Sequence, residues 1–138
     1  MIKKFFPLLV IVLLAVTFKT YGQLEGIWIE EVDENPISLI FESNGIATII
    51  VGDEFFGGEN FEIEAGNATM YYYVKESTPY NELDIVIKII ATNEIILDYP
   101  GIYELDDEGR MHLNMDFENQ VRPTSFDENA FWLTNYDE

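Results

Sequence analysis

Gly101-Ile102-Tyr103-Glu104-Leu105-Asp106-Asp107-Glu108-Gly109-Arg110-Met111-His112-Leu113-Asn114-Met115-Asp116-Phe117 contains two alternating runs and a turn. After the turn, Met111, Leu113, Met115 and Phe117 share one face, and Arg110, His112, Asn114 and Asp116 share the other. A period of two is the mark of a half-buried strand, because successive side chains point to opposite sides of a sheet. Before the turn, Tyr103 and Leu105 continue the apolar face, with Glu104 and Asp106 outward. Asp106-Asp107-Glu108-Gly109 closes the hairpin, and Gly109 accepts a positive φ without steric cost. Such a hairpin must lay its apolar face on other strands, and the flanking sequence supplies them.

Working outward, Ile27–Glu31 is a strand, and Ile37, Leu39 and Phe41 alternate in the next. Asn44-Gly45 reads as a hairpin turn into Ile46–Val51. Gly52 and Gly57-Gly58 break the chain around Phe55-Phe56, so 52–66 reads as an inserted hairpin or flap with at least one exposed ring. Phe61–Glu64, Thr69–Lys75 and Leu83–Ile89 follow, then a short run at Ile95–Leu97, the hairpin above, a polar loop from Glu118 to Asn129 and a closing strand from Ala130 to Tyr136. About eight or nine short strands separated by turns predict an all-β antiparallel up-and-down barrel, with a β-sandwich as the alternative. Closure is favoured physically, since an open edge along a strand as apolar as Ile85–Ile90 invites aggregation.

The first 22 residues read as a signal peptide. Lys3 and Lys4 precede an apolar run of 12 residues, Phe5–Val16, and Thr20-Tyr21-Gly22 offers a cleavage site before Gln23. The run is shorter than the ~20 residues that span a bilayer. Residues 23–138 then form one domain, exported to the periplasm or the exterior and not inserted in a membrane. With no cysteine in the chain, it holds together through its core alone. All 26 acidic residues but only four of the seven basic ones lie in it, a formal charge of −22. That field repels nucleic-acid phosphates, which need Lys and Arg to displace counterions. Solubility accounts for it without a partner; a basic partner surface is the sharper reading.

The central hairpin also carries a resemblance. Pro100-Gly101-Ile102-Tyr103-Glu104-Leu105-Asp106, followed by the alternating strand and Arg122-Pro123-Thr124-Ser125-Phe126, resembles the end of a family of small secreted bacterial lipocalin-like domains. Leu24-Glu25-Gly26-Ile27-Trp28 is similar to the Gly-x-Trp opening of that family. Thr69–Ile87 resembles its middle strands, and 52–66 looks like an insertion. The resemblance implies a lipocalin-like barrel and export, and no reaction.

Catalysis has little material. The chain has one histidine, His112, placed outward by its strand, and no cysteine. A serine nucleophile needs an oriented base, and zinc needs His or Cys ligands. The expectation is a non-enzyme, monomeric and without a cofactor. Calcium is the one ion the chemistry admits, through oxygens at Gly52-Asp53-Glu54, Asp106-Asp107-Glu108 or Asp127-Glu128, although solvated turns look the same. Aromatic residues can line a pocket or fill a core. A binder of a small apolar molecule predicts a cavity lined by Trp28, Tyr71, Tyr73, Tyr103 and Leu113, with Arg122 either anchored to a carboxylate or meeting a ligand head group. The alternative is a protein-interaction or inhibitor module, with a filled barrel and an exposed apolar patch at Phe55-Phe56.

Overall fold

A computed structural model describes residues 24–136. The expected signal peptide and its cleavage site lie outside the described residues. Ten strands form one antiparallel sheet: β1 (Gly26–Glu30), β2 (Ile37–Phe41), β3 (Ala47–Val51), β4 (Glu54–Gly57), β5 (Phe61–Ile63), β6 (Gly66–Lys75), β7 (Asn81–Ile89), β8 (Ile95–Leu105), β9 (Met111–Met115) and β10 (Phe131–Asn135). The order across the sheet is β4-β3-β2-β1-β10-β9-β8-β7-β6-β5. Every neighbouring pair is therefore consecutive in the chain except β1 and β10, which join its two ends. This is the expected all-β up-and-down barrel, nearly closed, with ten strands instead of eight or nine. The additional strand is β4, in a stretch whose glycines read as punctuation. Ile95–Leu97, separate in the sequence reading, belongs to the long β8, which passes through Pro100.

The gap in the closure falls between β4 and β5, which follow one another in the chain yet form the two edges of the sheet. Beside them β3 and β6 meet directly. Ile46 bridges Tyr71, Tyr72 N–H donates to Gly45 O at 2.9 Å, and Met70 N–H donates to Gly58 O at 3.0 Å. The Tyr72 hydroxyl ties the same seam by donating to Glu42 O at 2.7 Å. Gly57 allows this approach, since a Cβ there would stand 2.7 Å from Met70 Sδ.

Alternation decides what fills the barrel. Trp28, Leu39, Phe41, Met70, Tyr72, Leu83, Ile85, Ile87, Tyr103, Met111, Leu113 and Leu133 all point inward and are buried. Leu24 closes the end where β1 starts, and its carbonyl accepts the Trp28 indole N–H at 2.9 Å. Phe41 and Tyr72 pack ring to ring at 4.5 Å. The interior is occupied by the chain's own buried side chains. Two hairpins share one solution at their turns. In 42–46 and 106–110 the third of three loop residues is a glycine with positive φ (Gly45, 88°; Gly109, 81°), so the connection expected as the two residues Asn44-Gly45 has three.

Candidate interaction surface

The residues expected to line a cavity part company. Trp28, Tyr103 and Leu113 lie in the packed interior. Tyr71 and Tyr73 do not join them, because β6 runs in the opposite phase: Ala68, Met70 and Tyr72 point inward. The run Tyr71-Tyr72-Tyr73 leaves phase ambiguous, and the pairing of Tyr71 with Val86 on β7 resolves it. On the outer face the Tyr71 and Tyr73 rings lie 6.4 Å apart, with Lys88 Nζ 5.2 and 5.8 Å from their centroids. The chemistry there is cation–π, not a pocket wall.

Arg122 is also outside. Loop 116–130 leaves β9 at the end opposite the start of β1 and folds back over the outer wall. Arg122 donates to both Asp84 carboxylate oxygens, at 2.7 and 3.1 Å, and to Gly101 O at 2.9 Å. Glu82 stands 3.5 Å away. Hydrogen bonding to Asp84 outweighs partial burial and raises the guanidinium pKa above its ordinary value. Asp98 is held above the usual carboxylate range, first by burial and then by Asp84, with Arg122 opposing. Further along, Ser125 O and Asp127 Oδ1 accept the Asn114 amide at 2.7 and 3.2 Å. The loop is thus a strap, and Asn114 and Ile102 are buried beneath it although their strands point them outward.

The strap continues into a column of rings. His112 stacks on Phe126 at 4.3 Å and on Trp132 at 4.2 Å, while Arg110 lies 4.8 Å over Trp132. Burial lowers the His112 pKa, against the pull of Glu104. A depression of about 840 Å³ runs under the strap, lined in part by Asn114, Asp116, Glu118, Arg122 and Asp127. Its polar groups are engaged with one another: Asp116 accepts the Glu118 and Asn119 N–H groups, and Asp127 accepts Asn114 and Asn129. The carboxylate of Asp106, in the acidic turn Asp106-Asp107-Glu108, likewise accepts the N–H groups of Glu108 and Arg110. Among the described residues no cluster of three or more His, Asp or Glu has the arrangement of a metal site.

The opposite wall differs in kind. On β1–β4 the side chains alternating with the core are Ile27 and Ile29, Ser38 and Ile40, Thr48 and Ile50, then Phe55. The register aligns Ile29, Ser38, Ile50 and Phe55 in one row across four strands. No charge points outward from these strands, whereas β6–β8 present Lys75, Glu82, Asp84, Lys88, Asp98 and Glu104. Phe55 is 74% exposed. The sequence signal for this wall was present in the apolar residues on both faces of β3, but which neighbours would extend it depended on strand order.

Comparison with protein families, curated proteins and solved structures finds no match to this chain.

Proposed function

We propose that this protein is an exported protein-binding module that docks a partner on the outer wall of β1–β4. The observation that carries the reading is the uncharged row Ile29-Ser38-Ile50-Phe55 in a domain of charge −22. Depletion of charge at the centre with a polar rim is the composition of an interface core. The rim here is acidic, from Glu31, Asp33 and Glu34 at one end of the strands and Glu42 at the other. A partner with an apolar centre and a basic rim fits it, and long-range attraction speeds the encounter. A small apolar ligand inside the barrel is the competing reading. It would have to displace rings such as Trp28, Tyr72 and Tyr103, since pockets for such ligands run to about 300 Å³ or more.

The test is a photo-crosslinking residue at Ile40, with Glu104 on the far wall as control, in cells that export the protein. Adducts from position 40 and none from 104 support docking at this wall. Stoichiometric retention of a lipid or metabolite in the native mass spectrum of purified protein would overturn it in favour of the ligand reading.

A further inference from the structure

We infer that the free edge of β4 receives an extended, lysine- or arginine-bearing segment of the partner as an added strand. This rests on the protein-binding reading and names how part of the partner is held. The backbone parity comes from the seam. Gly58 N–H donates to Ala47 O at 2.8 Å, so 47 and 58 are a hydrogen-bonded pair, as are 49 with 56 and 51 with 54. Alternation then leaves Phe55 and Gly57 with N–H and C=O directed away from β3. On the other side of the gap β5 pairs with β6 through Ile63 and Gly66, so Glu62 turns its backbone to the same opening.

β4 and β5 are thus two arms of a hairpin that does not zip. The opening between them is closed from inside by Phe56 and Phe61, whose rings meet edge to face at 5.1 Å. Its rim is of one sign. Residues 53–64 contain Asp53, Glu54, Glu59, Glu62 and Glu64 and no Lys or Arg. An added strand of alternating character satisfies the three features together. Its backbone bonds to Phe55 and Gly57, its apolar side chains lie along the exposed Phe55 ring on the outer face, and its cations, on the alternate face, meet Glu54. A second copy of this chain fits poorly, because it would bring acidic residues to an acidic rim.

The probe is an acetylated and amidated heptapeptide alternating lysine with valine. At saturation, amide exchange at Phe55 and Gly57 slows by about tenfold or more while Phe126, on the far wall, is unaffected. The same peptide with N-methylated valines loses this protection, and so does its glutamate-for-lysine counterpart. Phe55→Ala weakens binding but keeps Gly57 protected, which separates the backbone contribution from the ring. The inference is overturned by binding without protection at Phe55 and Gly57, by equal binding of the acidic peptide, or by no binding at about 1 mM. Edge protection without crosslinks at Ile40 sinks the wall reading alone; crosslinks without edge protection sink this inference alone.

Discussion

His112 and Gly101 show how single positions report on their surroundings. His112 is the chain's one histidine, so the imidazole Hε1 signal in a proton NMR spectrum reports on it alone. Stacked between Phe126 and Trp132, it titrates below the ordinary 6.5, because burial there disfavours the cation. The sign for stability follows: with the folded pKa depressed, the contribution is present above the unfolded value and is lost as pH falls through the folded one. Trp132→Ala rehydrates the ring and moves the signal back toward 6.5; an unchanged pKa would disprove the role of the stack. At Gly101 space decides. An added Cβ would stand 2.8 Å from Met115 Cε, 3.0 Å from Asn114 O and 3.1 Å from Leu83 O. Two of those neighbours are backbone and cannot swing aside, so Gly101→Ala costs about 1–3 kcal/mol by denaturant titration. The glycine was visible in the sequence; the crowding around it was not, since its neighbours come from β7 and β9.

At the scale of elements the strap is the informative case. Residues 118–129 read as a polar loop, and it packs because Arg122 finds Asp84 on β7, 38 residues earlier. A hydrogen bond to a charged group contributes about 1.5–3 kcal/mol, and truncating one partner leaves the other exposed to like charges. Arg122→Met therefore lowers stability by about 2 kcal/mol at neutral pH, discounted for a side chain one-third exposed. The deficit shrinks in acid, because Asp98, whose pKa burial and Asp84 hold above the usual carboxylate range, then takes up its proton and no longer repels. Chemical denaturation at the two pH values checks both size and direction; an equal loss at both would locate the effect in packing instead. A second consequence concerns the seam, where Tyr72→Phe removes the hydroxyl bonded to Glu42 O. The expected loss is about 1 kcal/mol, read in the same titration.

The whole domain carries its charge on most of its surface and keeps one wall and one edge free of basic groups. Self-repulsion of −22 opposes compaction, and salt relieves it. Raising ionic strength from about 0.01 to 0.15 M shortens the screening length from about 30 to 8 Å, so calorimetry should find a higher melting temperature. Association with a basic partner moves the other way, its on-rate falling over the same range. A melting temperature that falls with added salt would contradict the first expectation.

Legible in the sequence alone were the class of fold, the strands around Trp28, Leu39, Ile85, Tyr103 and Leu113, and the strongly negative charge. Period-two alternation and turn residues are local, and a barrel is how such strands hide their edges. The phase of β6 follows from its pairing, since three tyrosines in a row satisfy either alternation until Tyr71 is set against Val86. Only the tertiary structure decided that β4 and β5, adjacent in the chain, would be the two edges, because closure there runs through β3 and β6 instead. The uncharged wall belongs to the same class of fact: its rows cross strands, and which residues stand side by side is fixed by register, which no single strand encodes.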